Sequence, residues 1–493
     1  MKEIIVSAIL LYTCMHTAAG QTAAVHINID PDVTYQTIDN FGASDAWSAQ
    51  FVGNWPEEKK NTIADWLFSS DTTATGQPKG IGLSLWRYNI GAGSTEQGEG
   101  SGITDEWRRA AKWQNQSGQL WFLRAAKERK VKQFLAFLNS PPVNLTINGR
   151  AFADKGNCNI KPDNYDAFAT YIADAMEGIS KTAGIRFDVI SPVNEPQWDW
   201  SDNKQEGCPY DNDQVSGVAR SLSKTLAARK LSTKIMVSEA GQLDYLYGGK
   251  NKPARGQQIT AFFDTSSPDY LGNLSNVSHV ISGHSYFTTS PRPASIRTRE
   301  EVARHISSFK GLGFWQSEYC ILGDNAGEIN GNKRDYGMDA ALYLARVIHD
   351  DLTVANASAW QYWLAISPYD YKDGLIYIDK NKQDGQYHDS KMLWAMGNYS
   401  RFVRPGAKRI SVNVQGDSSL LVSAYKNTDQ TISVVIVNSA QEDRHISLDR
   451  KKGQFRRLRS YVTSGADNLH PLAVNNSIVI PARAVVTVTE SIH

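Results

Sequence analysis

The sequence predicts an α/β fold: a (β/α)8 TIM barrel with an accessory antiparallel β-sandwich domain. Short apolar runs alternate with amphipathic segments from residue 36 onward, which is typical of parallel strands joined by crossover helices. From residue 409 the pattern changes to short runs that are rich in β-branched residues and separated by turn residues. The length of 493 residues accommodates both parts, because such barrels take roughly 250 residues or more when they carry insertions.

The barrel is predicted from eight strands, each followed by a helix. The strands are expected at residues 36–42, 82–89, 133–139, 187–193, 234–239, 279–284, 313–318 and 357–363. The helices are expected at residues 57–68, 120–130, 165–179, 215–230, 257–263, 299–309, 337–351 and 391–402. Eight strand–helix pairs in alternation are the number that closes a (β/α)8 barrel.

The β-sandwich is predicted after the barrel. Its strands are expected at residues 410–414, 420–425, 431–437, 445–448, 458–462, 478–480 and 485–489. Arg404, Pro405 and Gly406 form a sharp helix stop, so we place the domain junction there. An apolar run over residues 23–29 is predicted as an additional strand of the sandwich. The expected domains are therefore an N-terminal strand segment (residues 21–36), the barrel (37–405) and the sandwich (406–493).

The first 20 residues are predicted to be a cleaved signal peptide. Lys2 precedes an apolar run over residues 4–12 and a patch of small residues that ends at Gly20. The apolar run is too short for a membrane span, which needs about 20 residues, and no later stretch of the sequence approaches that length. We therefore expect a secreted or periplasmic protein without a membrane span. An outer-surface lipoprotein attached at Cys14 is the alternative, which Tyr12 and Thr13 disfavour.

The composition argues against several classes of partner and cofactor. The 52 basic and 51 acidic residues give a formal net charge of +1, which disfavours nucleic acid or an anionic lipid surface as the main partner. The sequence has no phosphate-binding glycine loop and no cluster of metal ligands, so we expect no cofactor and no metal. Cys158 and Cys208 lie in loop-like segments and could pair in an oxidising compartment, whereas Cys320 is expected to be a buried thiol. We expect a monomer.

Candidate functional residues are those that end the predicted strands, because the active sites of such barrels lie at the carboxyl ends of the strands. These ends carry Trp86-Arg87-Tyr88-Asn89, Asn194-Glu195-Pro196, Ser238-Glu239, His284-Ser285-Tyr286, Gln316-Ser317-Glu318-Tyr319 and Trp360-Gln361-Tyr362-Trp363. Carboxylates, amides and aromatic rings suit neutral polyols, so we expect a polysaccharide or oligosaccharide substrate. Asp45 and Trp47, just after the first strand, are added as candidate substrate-binding residues because of their place at the barrel mouth.

Two of these residues, Glu195 and Glu318, are predicted to form a catalytic pair. Two facing carboxyl groups can cleave a glycosidic bond, one by protonating the leaving oxygen and the other by attacking the anomeric carbon. A single strand-end glutamate is more often an ion-pair partner of an arginine such as Arg87. The Asn-Glu-Pro context favours catalysis at Glu195, since Asn194 can hydrogen-bond a sugar hydroxyl beside the acid. Glu239 is a rival carboxylate, for which a catalytic role is disfavoured.

Seven motifs extend over essentially the whole chain after the signal peptide. They are Phe41-Gly42-Ala43-Ser44, Ser140-Pro141-Pro142, Val193-Asn194-Glu195-Pro196, His284-Ser285-Tyr286, Trp315-Gln316-Ser317-Glu318, Ile480-Pro481-Ala482-Arg483 and the run from Gly397 to Gly406. Together they resemble the signatures of glycoside hydrolase family 30, whose members are retaining enzymes with a (β/α)8 barrel. Within that family, the barrel face is most similar to the endo-β-1,6-galactanase branch.

The resemblance implies a function and a role for each matching residue. The implied function is that of a retaining endo-β-glycosidase acting on plant-type polysaccharide, with β-1,6-galactan first and β-1,6-glucan or xylan as alternatives. Glu195 matches the acid/base and Glu318 the nucleophile. The positions that shape the sugar subsite next to the scissile bond are matched by Arg87, Asn194, His284, Tyr286 and Trp363. The sequence departs from the family at Val143-Asn144, where a tryptophan is common. A non-catalytic carbohydrate-binding protein is the alternative outside the enzymes, which the presence of both glutamates disfavours.

Overall fold

Eight parallel strands close into a barrel in the computed structural model, which describes residues 25–416, 419–474 and 478–490. After a first strand, β1 (Val25–Thr37), the barrel strands are β2 (Asn40–Ser44), β3 (Leu85–Asn89), β4 (Gln133–Phe137), β5 (Val189–Ser191), β6 (Lys234–Ala240), β7 (Val277–His284), β8 (Gly313–Tyr319) and β9 (Ala359–Ser367). Each barrel strand pairs with the next, and β9 pairs with both β8 and β2, which closes the ring. The predicted barrel is confirmed. The predicted signal peptide and Cys14 lie outside the described residues.

Helices alternate with the barrel strands as predicted. Those of the described residues are α1 (Ala49–Val52), α2 (Glu57–Phe68), α3 (Ser94–Gln97), α4 (Ser117–Glu128), α5 (Tyr165–Ala183), α6 (Asn212–Ala228), α7 (Gln258–Phe263), α8 (Arg292–Ser307), α9 (Met338–Thr353) and α10 (Lys391–Ser400). The short helices α1 and α3 are additional to the predicted set. Helix α8 begins well before residue 299, because Pro293 fits the first turn of a helix although that turn lacks apolar periodicity.

The barrel strands bury both their faces, as expected of parallel strands covered by helices. Every residue of β2, β3 and β9 is buried. Polar side chains on these strands, such as that of Arg87, must therefore find their partners inside the protein. A hairpin that the sequence did not predict, β10 (Gly374–Ile378) with β11 (Tyr387–Asp389), extends the sheet beside β9. Within the described residues, no helix combines the length and apolar character that crossing a membrane requires.

The β-sandwich combines β1 with eight strands that follow the barrel, and it confirms the predicted accessory domain. These strands are β12 (Lys408–Gln415), β13 (Leu420–Lys426), β14 (Ile432–Asn438), β15 (Arg444–Arg450), β16 (Leu458–Thr463), β17 (His470–Ala473), β18 (Ile478–Ile480) and β19 (Ala484–Glu490). Strand β12 pairs with β1 along its length but with β13 only through residues 408–410. It therefore links the strands on the β13 side of the sandwich to those on the β1 side. Strand β17 is additional to the predicted set. It contains Pro471 and lies at an edge of the sheet, where a missing N–H is tolerated.

Barrel and sandwich are joined by buried hydrogen bonds at the end of α10. The Asn398 amide donates to the carbonyl oxygen of Tyr461 at 2.9 Å, and the Thr487 hydroxyl donates to the carbonyl oxygen of Asn398 at 2.6 Å. At the start of the barrel, the N–H of Ile38 donates to the carbonyl oxygen of Ala407 at 2.7 Å. The sandwich is therefore built into the base of the barrel by contacts at both chain segments that connect them.

Candidate active site

The barrel brings the predicted strand-end residues together at one end. Arg87 lies on β3, Glu239 near the end of β6, His284 at the end of β7 and Glu318 near the end of β8. Glu195 follows β5 directly after Asn194. All six residues named here are at least nine-tenths buried, with Glu195 7% and Glu318 3% exposed. Charges at such depth need partners, and these residues supply them to one another.

Glu195 and Glu318 face each other across this cluster. One carboxylate oxygen of each, together with a ring nitrogen of His284, lie within 4.8 Å of one another. Glu318 accepts a short hydrogen bond from the Arg87 guanidinium and one from the Tyr286 hydroxyl at 3.1 Å. Glu195 receives its side-chain hydrogen bond from Nδ1 of His284, at 2.8 Å. The two carboxyl groups therefore have different partners, a guanidinium on Glu318 and an imidazole on Glu195.

Glu239 lies behind His284 and is fully buried. It accepts hydrogen bonds from Nε2 of His284 at 2.9 Å, from Ser317 at 2.5 Å and from Ser191 at 2.6 Å. Burial opposes its charge, but the Arg87 guanidinium and the bonds from His284 and Ser191 outweigh that effect and lower the pKa of Glu239 to about 2. Burial also opposes a charge on His284, yet the carboxylates around it raise its pKa to about 10. Glu239 and His284 therefore form an ion pair at neutral pH.

The pKa of Glu195 moves in the opposite direction to that of Glu239. Burial raises it, and the hydrogen bond and charge of His284 offset that effect only in part. A carboxyl group with a raised pKa can hold a proton near neutral pH, as a general acid must. Glu318 instead forms an ion pair with the Arg87 guanidinium.

The backbone after β5 holds Glu195 in an unusual conformation. Its φ angle is +45°, in the left-handed region that non-glycine residues rarely occupy, and Glu239 on β6 has a φ of +51°. The N–H of Glu195 donates to the carbonyl oxygen of Glu239 at 2.8 Å. The carbonyl oxygen of Glu195 in turn accepts from the N–H of Trp198 at 3.2 Å and from Nε1 of Trp200 at 3.0 Å. These bonds offset the cost of the conformation and aim the side chain into the mouth.

Arg87 connects Glu318 with Asn194 and with the aromatic residues. Besides its contact with Glu318, it donates to the Asn194 side-chain oxygen at 3.2 Å. Its guanidinium lies over the Phe137 ring at 3.8 Å and near the Trp363 ring at 5.9 Å. The predicted residues Arg87, Asn194 and Trp363 therefore adjoin the glutamate pair, and their contacts with a sugar stay predictions.

A wall of aromatic rings extends from Trp363 to the neighbouring loops. Trp47 stands edge-on to Trp363 at 5.6 Å between ring centroids, and it contacts Trp107 at 4.8 Å. Trp107 stacks on Tyr369 at 5.0 Å. Sequence reasoning missed Trp107 and Tyr369, because both come from loops, where no strand end marks them. Trp47 is fully buried beneath this wall, and its predicted contact with substrate stays a prediction.

A second charged cluster, which we call the loop cluster, consists of Asp45, Arg109 and Glu206. Asp45 accepts from the N–H of Asn89 at 2.9 Å and from the Gln119 amide at 2.8 Å. Both its oxygens are thus engaged by the protein, and its predicted role as a substrate contact remains untested. Burial raises the pKa of Asp45 to about 7 and that of Glu206 to about 7, and it lowers that of Arg109 to about 10. The sequence did not single out Arg109 or Glu206.

Two further predictions concern sulfur and metal. The thiols of Cys158 and Cys208 are free, and each donates to a carbonyl oxygen, that of Ile160 at 3.7 Å and that of Pro209 at 3.5 Å. Cys320 is buried behind Tyr286, whose hydroxyl lies 3.7 Å from its sulfur. Among the described residues, the group of metal-ligating side chains that could share one ion is Glu195, His284 and Glu318. Both ring nitrogens of His284 are hydrogen-bonded to carboxyl groups, those of Glu195 and Glu239, so these residues fit an acid–base role better than a metal site.

The barrel and its pair of facing glutamates define a protein of the glycosidase class. Residues 24–377 match O-glycosyl hydrolase family 30, and residues 406–488 match the beta sandwich domain of glycosyl hydrolase family 30. The chain belongs to glycoside hydrolase family 30, and the predicted family is confirmed.

Three known proteins show how far the similarity extends. The chain is 24% identical over 466 residues to an endo-beta-1,6-galactanase of Hypocrea rufa, with 89% of this chain and 85% of that protein covered. It is 27% identical over 339 residues to a glucuronoxylanase of Bacillus subtilis, with 67% and 66% covered. The crystal structure of a conserved exported protein from Bacteroides fragilis superposes with a TM-score of 0.87 at 32% identity, covering 94% of this chain and 99% of that one.

Proposed function

We propose that the protein is a secreted, retaining endo-β-glycosidase whose substrate is a plant-type polysaccharide, most specifically the β-1,6-galactan of arabinogalactan side chains. The observation that carries the retaining mechanism is the closeness of Glu195 and Glu318, which have carboxylate oxygens within 4.8 Å of each other. Retaining glycosidases place their carboxyl groups about 5–5.5 Å apart, whereas inverting enzymes need roughly 6.5–9.5 Å to admit a water molecule.

In the first step, Glu318 attacks the anomeric carbon while Glu195 protonates the leaving oxygen. The bond between the anomeric carbon and that oxygen breaks, and an ester between the sugar and Glu318 forms. The Tyr286 hydroxyl and Arg87 hold the Glu318 carboxylate in place for the attack. Glu195, whose pKa is raised, supplies the proton.

In the second step, Glu195 accepts a proton from water as the water attacks the anomeric carbon. The ester bond to Glu318 breaks, and the product keeps the anomeric configuration of the substrate. Esterification removes the negative charge of Glu318, so Glu195 ionises more readily and can act as the base.

The choice of galactan is supported by the extent of the similarity. The endo-beta-1,6-galactanase is matched over 89% of this chain and the glucuronoxylanase over 67%. The chain also departs from the family at Val143-Asn144, where a tryptophan is common, and this departure affects the choice of substrate. There the chain forms a single turn, Val143–Leu145, in which Val143 packs against the buried cluster of Ala92, Ile103 and Ala151, and Asn144 is exposed. The rival substrates are β-1,6-glucan and xylan.

The experiment that tests the proposal compares initial rates on β-1,6-galactan, arabinogalactan, β-1,6-glucan and xylan, with analysis of the products. We expect the highest kcat/KM on β-1,6-galactan and oligosaccharides of several lengths early in the reaction, as internal cleavage gives. An NMR time course should show the retained anomer first. Faster cleavage of glucan or xylan would show that the proposed substrate, β-1,6-galactan, is wrong. Initial release of the inverted anomer would overturn the retaining mechanism.

A matched variant separates the enzyme from a carbohydrate-binding protein of the same fold. We expect wild type, but not Glu318→Gln, to turn over an activated aryl glycoside. Binding of a polysaccharide by both proteins without turnover by either would favour the non-catalytic alternative. Export is part of the proposal, and it predicts that the mature chain recovered outside the cytoplasm begins near residue 21.

A further inference from the structure

Five buried side chains at the barrel mouth form a set that we call the catalytic cluster: Arg87, Glu195, Glu239, His284 and Glu318. It contains three carboxyl groups and two bases that can carry positive charge. Glu239 is the third carboxyl group, and the double displacement described above does not use it. A fully buried carboxylate is costly to keep unless it has a function or a partner that requires it.

The contacts divide the cluster into pairs. Arg87 is bonded to Glu318, and its other nitrogen lies 3.6 Å from Glu239. His284 is held between two carboxyl groups, with Nε2 at 2.9 Å from Glu239 and Nδ1 at 2.8 Å from Glu195. The charge of Arg87 balances that of Glu318, and the charge of Glu239 balances that of the His284 imidazolium. Glu195 is then the carboxyl group without a countercharge.

We propose that Glu239 is a positioning residue that acts through His284: it neutralises the imidazolium, so that the catalytic proton of the resting enzyme stays on Glu195. This inference rests on the proposed retaining mechanism. The backbone supports the same assignment, since the carbonyl oxygen of Glu239 also accepts the N–H of Glu195 at 2.8 Å. Glu239 thus fixes Glu195 from two directions, through its main chain and through the imidazole.

The charge of the cluster shows why the third carboxylate is needed. In the resting enzyme, Arg87 and His284 are positive, Glu239 and Glu318 are negative, and protonated Glu195 is neutral, so the cluster carries no net charge. After the first step, the ester at Glu318 is neutral and Glu195 is negative, and the net charge is again zero. Without Glu239, both states would carry one positive charge, which would favour ionised Glu195 before the substrate is protonated.

The groups that face His284 agree with this assignment. Glu195, Glu239 and Glu318 approach the ring from three different strand ends, and its pKa is raised to about 10. Tyr286 stands edge-on to the ring at 5.8 Å and directs its hydroxyl to Glu318. Arg87, the other cation of the cluster, contacts Glu239 and Glu318.

The test is the pH profile of kcat/KM for Glu239→Gln, with Ser191→Ala and Glu239→Asp as matched variants. The basic limb of the profile reports deprotonation of the general acid. Losing the negative charge of Glu239 should move this limb to lower pH by about one unit or more. Ser191→Ala removes only a hydrogen bond to Glu239, and Glu239→Asp keeps the charge, so both should keep the limb at the wild-type pH.

A second readout separates this role from a merely structural one. Near the limb, Glu239→Gln should lose at least about tenfold in kcat/KM on substrates with poor leaving groups and less than about threefold on an aryl glycoside with a good one. Equal losses on both substrates with an unmoved limb would overturn the proposal. A Glu239→Asp enzyme that behaves like Glu239→Gln would overturn it as well.

A third measurement needs no variant at position 239 and no activity. In protein labelled with ¹⁵N-histidine, the ring nitrogens of His284, assigned by their absence in His284→Gln, should both be protonated at pH 7 and remain so to about pH 9. A neutral ring at pH 7 would overturn the proposal even if Glu239→Gln fails to fold. Absence of turnover on every glycoside would instead refute the proposed function, and the histidine titration would still decide this inference.

Discussion

The catalytic cluster and the loop cluster lie at the same end of the barrel and are buried to the same degree, yet the pKa of Glu239 in the first differs from that of Glu206 in the second. Glu239 touches Arg87 and His284, and its pKa is lowered to about 2. Glu206 accepts its hydrogen bonds from main-chain N–H groups and a hydroxyl, and burial raises its pKa to about 7. The difference follows from the partners: two cations in contact, Arg87 and His284, together outweigh burial at Glu239, whereas the neutral donors on Glu206 do not.

The largest expected difference between the clusters is in catalysis. Glu318→Ala should lose on the order of 10³-fold or more in kcat on every substrate, because the proposed nucleophile is removed. Glu206→Gln alters an equally buried carboxyl group in the loop cluster and should retain activity within about tenfold. Initial rates on an aryl glycoside and on polysaccharide measure both. Similar losses in the two variants would erase the distinction between the clusters.

Glu195→Ala should lose activity selectively. Without the acid, cleavage of poor leaving groups should slow by about 10²-fold or more, while formation of the ester from an activated aryl glycoside should be spared. Azide, which needs no base, should then restore turnover and give a glycosyl azide of retained configuration. Uniform loss on all substrates without azide rescue would contradict the assignment of Glu195 as the acid.

The aromatic wall connects the two clusters, and Trp47→Phe should have an intermediate effect. Arg109 lies over the Trp47 ring at 4.4 Å, and Arg87 lies near Trp363, against which Trp47 stands. A smaller ring weakens the support of Trp363, and we expect a loss of about tenfold or less in kcat/KM, mostly in KM. The same variant should leave the basic limb of the pH profile unmoved. A moved limb would show that the two clusters are electrostatically coupled.

The smallest effect on activity and the clearest effect on stability are expected in the loop cluster. The pKa values of Asp45 and Glu206, both raised to about 7, mean that the folded protein holds these protons more tightly than the unfolded chain does. Their contribution to stability is therefore full below about pH 4 and is lost as the pH rises through about 7. The double variant Asp45→Asn/Glu206→Gln cannot ionise there, so its Tm should fall less than that of wild type between pH 5 and pH 8.

In the catalytic cluster, the contribution of Glu239 to stability changes with pH in the opposite direction, and that of His284 changes in the same direction. The stabilising contribution of Glu239, whose pKa is lowered, is present above about pH 4.5 and is lost only as the pH falls toward 2. That of His284 is present below about pH 6.5 and is lost as the pH rises through about 10. Both contributions are common to wild type and the double variant, so the difference in Tm between the two isolates the loop cluster. Parallel Tm profiles would contradict the raised pKa values.

Much of this arrangement was predictable, because barrel topology converts sequence position into spatial position. Glu195, His284 and Glu318 each end an apolar run, and parallel strands bring such ends to one rim. Arg109, Trp107 and Tyr369 were not predictable in this way, since they lie on irregular loops whose course depends on long-range packing. The use of Glu239 also could not be read from the sequence, because its effect depends on which carboxyl group the imidazole of His284 contacts.

Strand β1 has a consequence for the order in which the chain folds. It pairs with β12 on one side and with β15 on the other, and the hydrogen bond between His26 and Ser447 joins residues 421 positions apart. During synthesis, β1 emerges first and presents two unpaired edges until the whole barrel has followed it. Contacts between residues so distant in sequence form late, and strand edges that stay unpaired until then promote aggregation. We therefore expect the sandwich to be completed only after the barrel strands have been synthesised, and β1 to be the segment that a chaperone would protect until then.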